Sequence, residues 1–395
     1  MSPQTKTFVV LLLTLYLAML GFGIIIPVLP FYVRHFEGDA KVLGYLMASY
    51  SAVQLFMSPV WGRISDRIGR RPVLLIGLAG FAVTFIAYGL ATRLWMLFAA
   101  RILAGLMSSA TLPTAMAYIA DITTGENRAK GMGLMGASMG LGIISGPAVG
   151  GILAEYGLSV PFFVAGGLAA CAWPFAWRFL KESRVHHEHT RRDLGFKFLM
   201  TESGRTLVPL FILAFIISFT MALFESTFAL FAHDIYSMSS RDIGIMFGVI
   251  GIIGVAFQGG LMGRLSRHIG DAGIVMLGVF LASAGLASIV GTVGLGSALF
   301  FWLTTSLYAM GHALLRPGVS TLVSRQTTAG QGISIGVMQS FDSLGRIIGP
   351  VTGGSLYVIH HKTPYTVGAG ILGMTFLALV PLAKRFRSVP DEVEV

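Results

Sequence analysis

Apolar and polar positions alternate along this chain at long wavelength, not at the short periods of an amphipathic helix or a half-buried strand. Runs of about twenty mostly apolar residues recur from end to end, each followed by a short polar break, and a run of that length matches the thickness of a bilayer core as a helix. Twelve such runs are predicted, near 7–30, 43–61, 73–91, 95–120, 131–154, 160–179, 207–232, 243–262, 274–292, 297–323, 332–357 and 365–383. Between the sixth and seventh lies KESRVHHEHTRRDLGFKF, polar and basic. The expected organisation is therefore an all-α membrane protein of two six-helix bundles, 1–180 and 206–395, joined by a linker at 181–205.

Composition agrees with the pattern. Of 395 residues, 54% are hydrophobic and 12% charged, about half the charge of a typical soluble domain. The first apolar run ends in GIIIPVLPFY and not in a small-residue cleavage site, which argues against a removable signal peptide. The single Cys171 excludes an intrachain disulfide or a cysteine-built metal site, and no metal or cofactor is expected. The net charge of +10 follows from topology. With both termini in the cytoplasm, 20 Lys and Arg fall in cytoplasmic segments, 5 in outer loops, and Arg101, Arg316 and Arg346 within spans. A nucleic-acid partner is not needed to explain the basic balance.

The halves repeat. GRISDRIGRRPVLLIG at 62–77 aligns with GRLSRHIGDAGIVMLG at 263–278, and GLGIISGPAVGG at 140–151 aligns with SLGRIIGPVTGG at 343–354. The offsets, 201 and 203, are nearly equal, so the two bundles are expected to be related by pseudo-two-fold symmetry.

Four motifs carry a resemblance: LGFGIIIPVLP (20–30), GRISDRIGRRP (62–72), RILAGLMSSATLP (101–113) and GLGIISGPAVGG (140–151). With them the chain resembles the major facilitator superfamily over nearly its whole length. Within it, the chain is similar to the twelve-span drug/proton antiporters that include tetracycline and bacterial multidrug exporters. The resemblance implies alternating access in a bacterial cytoplasmic membrane, with a small-molecule substrate and protons as the coupling ion. A monomer is expected.

It also implies roles for residues. Gly62, Asp66, Arg67, Gly69 and Arg70, with Asp121 as neighbour, would form a cytoplasmic latch. In the second copy Arg267 replaces Asp66, so that latch should be weaker or different. Gly142, Gly146 and Gly150 fall on one helix face, where they permit close helix approach, and Pro147 favours a kink. With Gly151 they match the antiporter motif. Arg101 would be a buried arginine linked to proton transfer; the alternative is an arginine that snorkels to the interface.

Intramembrane charge is costly, so each such group is a functional candidate. Most lie in the second half: Glu225, His312, Arg316, Asp342 and Arg346. His312 and Arg316 are one helical turn apart, as are Asp342 and Arg346, and the latter pair can neutralise itself within one helix. At the repeat-equivalent positions stand Met139 and Ile143, so the fold does not require the charges. Glu225, His312 and Asp342 are the candidates for proton coupling. Arg316, Arg346, Gln54, Gln258, Phe22, Phe224, Phe228 and Tyr308 are the candidates for substrate contact, with Phe31 and Tyr32 adding to the aromatic supply. His186, His187 and His189 read as a solvated linker.

The leading expectation is a proton-coupled exporter of amphipathic drugs or metabolites. Two cavity arginines keep a second reading open, a transporter for one anionic metabolite such as a carboxylate or siderophore. A receptor or channel is a third, against which the retained latch and antiporter motifs argue. No nucleophile–base set suggests an enzyme.

Overall fold

The computed structural model describes residues 3–123, 125–183, 195–257, 261–327 and 331–386. Among them there are helices and turns but no strand. The helices are α1 (Pro3–His35), α2 (Ala40–Ile68), α3 (Arg70–Gly89), α4 (Leu94–Ser108), α5 (Thr111–Ile122), α6 (Glu126–Ala154) and α7 (Val160–Phe179). A 3₁₀ turn at Gly195–Met200 precedes α8 (Glu202–Tyr236), α9 (Ser240–Ala256), α10 (Met262–Thr292), α11 (Ala298–Gln326), α12 (Gln331–Ile359) and α13 (Thr363–Phe386). Nine helical stretches among the described residues are long and apolar enough to cross a membrane. The others are α2, α9 and α12; α9 has only 17 residues, and α12 carries the Asp342–Arg346 sequence.

Two departures from the expected spans have local causes. The run 95–120 is broken into α4 and α5 at Ser109–Ala110, because Pro113 has no N–H to offer the carbonyl of Ser109. The ninth run, expected at 274–292, is preceded within α10 by the segment from Met262, and Gly270 between them leaves helical geometry with φ 71° and ψ 169°.

The chain divides into two compact units, one of residues 1–190 with 232–251, the other of residues 191–231 with 252–395. In the first, α6 lies along α1. A methyl placed on Gly142, Gly146 or Gly150 would stand 2.6, 2.5 or 2.9 Å from the backbone of Tyr16, Leu20 or Ile24. These glycines therefore let two backbones touch, which is how helices bind each other where the surrounding lipid is as apolar as they are. Tyr32 shows a different kind of fixation. Its hydroxyl donates to the carbonyls of Tyr88 (3.0 Å) and Ala91 (3.2 Å), capping the end of α3, and its ring stacks on Phe162 at 5.4 Å. The unit also includes the end of α8 and most of α9. Arg34 donates to both carboxylate oxygens of Asp234 (2.5 and 2.6 Å), and Gly244 lies against Pro147 of α6.

In the second unit α12 lies along α8 in the same way. Methyls on Gly345, Gly349 and Gly353 would stand 2.7 Å from the Phe215 carbonyl, 2.6 Å from the Phe219 carbonyl and 3.0 Å from the Leu223 carbonyl. Its centre is aromatic: Phe224 sits 4.5 Å from Tyr308 and 4.6 Å from Phe228, and Phe228 stacks on Phe301 at 5.5 Å.

Candidate functional site

The charged residues of the second unit converge from three helices, Glu225 on α8, His312 and Arg316 on α11, and Asp342 and Arg346 on α12. Arg316 feels the charges of Arg346, Asp342 and Glu225, and His312 those of Arg316 and Arg346. The residues singled out by charge alone are thus brought into one electrostatic cluster.

Their local arrangement differs from the expected one in one respect. Asp342 and Arg346 do not close an ion pair within α12. Asp342 is 8% exposed and accepts a hydrogen bond from the Ser218 hydroxyl at 2.8 Å. The cause is the glycine stripe. Asp342 lies on the face of Gly345 and Gly349, which is pressed against α8, while Arg346 is one position off that face and half-buried. Ser218, which charge-based reading had no reason to select, is therefore the partner that orients the acid. Arg316 is exposed, Glu225 is half-buried, and the Nε2 of His312 is buried without a hydrogen-bond partner.

The aromatic candidates of this unit occupy its core. Phe224, Phe228 and Tyr308 are 1%, 0% and 1% exposed, and Tyr308 links the core to the charges through its contact with the His312 ring at 6.0 Å. In this conformation they support the wall of the cluster and do not line open space. Gln258 lies outside the described residues, as do His186, His187 and His189.

The first unit carries a smaller polar cluster. Arg101 sits mid-way along α4, 3% exposed, its guanidinium 4.8 Å over the Tyr50 ring and its Nε without a partner. It is buried in the helix bundle and does not snorkel. The Tyr50 hydroxyl meets the Ser108 hydroxyl at 3.2 Å and accepts from Gln54 at 3.3 Å, and Phe22 lies 6.3 Å from the Tyr50 ring. Tyr50 holds Phe22, Gln54 and Arg101 together; a tyrosine in an apolar run gives no sequence signal of that role. Phe31 is placed against His233, edge-on at 5.2 Å.

The α2–α3 junction is built around Arg70. It donates to Asp66 (2.5 Å), to Asp121 at the end of α5 (3.2 Å) and to the Ser65 hydroxyl (2.6 Å). Gly69 makes the break possible with φ 105° and ψ 160°, a conformation essentially confined to glycine that costs an L-residue roughly 1–3 kcal/mol. Glu182, beyond the end of α7, accepts from the amides of Arg70 (2.8 Å) and Arg71 (3.3 Å). It caps the positive end of α3 in place of a local residue. Arg67 is exposed, and Gly62 has no atom near enough to require a glycine.

The second copy of this junction is charge-inverted. Gly270 takes the backbone role of Gly69, Asp271 stands in place of Arg70, and its partner is Arg325 near the end of α11, at 3.2 Å. The Ser266 hydroxyl donates to Asp271 at 2.7 Å, as Ser65 contacts Arg70. The two junctions share one geometry with opposite polarity.

The family model described as the Major Facilitator Superfamily matches residues 11–350. The chain belongs to that superfamily. It is 32% identical over 390 residues to multidrug resistance protein 2 of Bacillus subtilis, which covers 95% of this chain and 96% of the relative. It is 27% identical over 388 residues to the quinolone resistance protein NorA of Staphylococcus aureus, with 98% of each chain covered. Among solved structures, the nucleoside transporter NupG superposes with a TM-score of 0.81 at 15% identity, covering 95% of this chain and 99% of that one; this likeness speaks for the fold alone. The chain is a multi-pass membrane transporter and not an enzyme.

Proposed function

We propose that this superfamily member is a proton-coupled exporter of amphipathic drugs or metabolites that works by alternating access. The observation that carries the reading is Glu225, a carboxylate in the middle of an apolar helix, in electrostatic contact with Arg316 on a different helix. Burying a charge in a bilayer costs on the order of 3 kcal/mol, so an acid kept there without a packing need has another use. When Glu225 takes up a proton its charge vanishes, and the attraction that restrains Arg316 goes with it. The change biases the equilibrium between two helix arrangements, and the arrangement in turn sets which side the proton leaves from. Asp342 and His312 are the further groups through which the proton is relayed.

Relatives named for multidrug and quinolone resistance support export of amphipathic compounds. The excess of Lys and Arg in the segments assigned to the cytoplasm supports both termini inside a bacterial plasma membrane. The protein works as a monomer in this reading. The test is dye uptake into inverted liposomes under an imposed pH gradient, using a cationic dye such as ethidium. Wild type accumulates it and Glu225→Gln does not. Full gradient-driven uptake by Glu225→Gln removes the assignment.

A further inference from the structure

We infer that Arg34 and Asp234 form a latch that holds the outer side of the transporter shut and sets how readily that side opens. The inference rests on alternating access as proposed above and deepens it by naming the contact that must break.

Four helix ends meet in the first unit. Residues 232–251, the end of α8 and most of α9, come from the second half of the sequence and yet belong to that unit. There the end of α1 holds the end of α8: the Arg34 guanidinium donates to both carboxylate oxygens of Asp234, at 2.5 and 2.6 Å. Just past α6, Glu155 lies 3.8 Å from Arg241 at the start of α9. In the orientation that the Lys and Arg distribution supports, all four ends face outside.

Behind these ends α6 and α9 touch through backbone. A methyl on Gly244 would stand 2.5 Å from the Pro147 carbonyl, and one on Gly151 would run into the carbonyl of Ser240. At these positions no bulky side chain interlocks, so the helices part there without leaving a large cavity behind. The strength of such a joint lies in its charged ends.

Arg34 and Asp234 have the properties of a latch. Asp234 stands in the last turn of α8, where the helix dipole disfavours an acid, so α8 by itself has no use for it; Arg34, in the last turn of α1, is well placed. The repeat does not require the pair either. In the register that matches Tyr16 with Phe215, Arg34 corresponds to His233 and His35 to Asp234, so the two-fold-related combination is two histidines. The paired geometry is bidentate, the strongest that a guanidinium and a carboxylate make. The side chains are 38% and 16% exposed, so water takes over both charges when the pair breaks, and the bond is reversible where a deeply buried one would not be. The Glu155–Arg241 pair is longer and about half exposed on both sides, and contributes less.

The experiment places spin labels on cysteines at Thr92 and Leu295, exposed residues of the α3–α4 and α10–α11 loops, in a Cys171→Ser background because Cys171 is itself exposed. Double electron–electron resonance on the full chain in liposomes, without a pH gradient, reads the ratio of long to short separations on the outer side. That ratio is expected to rise about fivefold in Arg34→Gln and in Asp234→Asn. The two substitutions together are expected to give no more than either alone, since each already removes the pair. The reversed pair, Arg34→Asp with Asp234→Arg, returns the ratio to within about twofold of wild type, and Glu155→Gln changes it by less than about twofold. An unchanged ratio in both single variants overturns the latch; so does a double variant whose effect is the product of the singles, or a reversed pair that behaves like them. Two separations with an unchanged ratio leave alternating access standing without this latch, whereas one separation in every variant removes both. Because no proton gradient is used, a failure of proton coupling leaves the result intact.

Discussion

Two helix pairs in this molecule are built to one plan and used differently. In the first unit α6 presses Gly142, Gly146 and Gly150 onto Tyr16, Leu20 and Ile24 of α1. In the second, α12 presses Gly345, Gly349 and Gly353 onto Phe215, Phe219 and Leu223 of α8. In that common register Ser218 stands where α1 has Met19, and Glu225 where it has Ile26. On the partner helices, Asp342 and Arg346 stand where Met139 and Ile143 do. The first pair shows what backbone contact in a membrane requires: small residues at a four-residue spacing and nothing charged. Everything charged in the other pair is an addition to that requirement, and the proposed proton coupling is placed on one of the additions, Glu225.

The comparison is broken most severely by making the second pair resemble the first. Glu225→Ile and Asp342→Met are each expected to lower gradient-driven transport more than about tenfold, while the thermal unfolding midpoint falls little, since each substitution removes a desolvated charge. Transport near the wild-type rate in either variant would mean that the acids are packing residues after all.

A smaller effect is expected where the two pairs are alike. Gly146→Ala and Gly349→Ala place a methyl 2.5 and 2.6 Å from the carbonyls of Leu20 and Phe219. Both helix pairs must separate, at a cost of about 1–3 kcal/mol each, visible as a lowered unfolding midpoint in detergent. A loss in one variant only would show that the two interfaces are not equivalent.

The α2–α3 and α10 junctions sharpen the comparison further. Gly69 and Gly270 both have positive φ, but a methyl on Gly69 runs into the Glu182 carboxylate and one on Gly270 meets nothing within 4 Å. Gly270→Ala is expected to cost about 1–3 kcal/mol of backbone strain, and Gly69→Ala that amount plus displacement of the α3 cap. Equal losses would remove Glu182 from the account. The smallest effect belongs to the inverted ion pairs. Arg325 is exposed although its partner Asp271 is mostly buried, so Arg325→Asp should cost about 1 kcal/mol. Arg70→Asp should cost more, because Arg70 is mostly buried and faces both Asp66 and Asp121. The double reversal Arg70→Asp with Asp121→Arg should recover part of the loss in the same unfolding assay.

The sequence by itself determined that the chain crosses a membrane many times, which residues bear intramembrane charge, and that its halves are repeats. These follow from properties that are local or periodic. A run of apolar residues long enough to span lipid must form a helix, because no water is present to satisfy its backbone, and a glycine every fourth residue marks a contact face whatever it contacts. The tertiary structure decided which groups meet. The spacing of Asp342 and Arg346 promised an ion pair within one helix, yet Asp342 bonds to Ser218, because the stripe that binds α12 to α8 also turns that carboxylate inward. Phe224, Phe228 and Tyr308 carried the composition of a binding surface and became a core, since burial depends on neighbours that lie far away in the chain. Tyr50 and Glu182 gave no signal at all: a tyrosine in an apolar run and an acid in a polar linker acquire their roles only when Arg101 and the amides of Arg70 and Arg71 are brought to them.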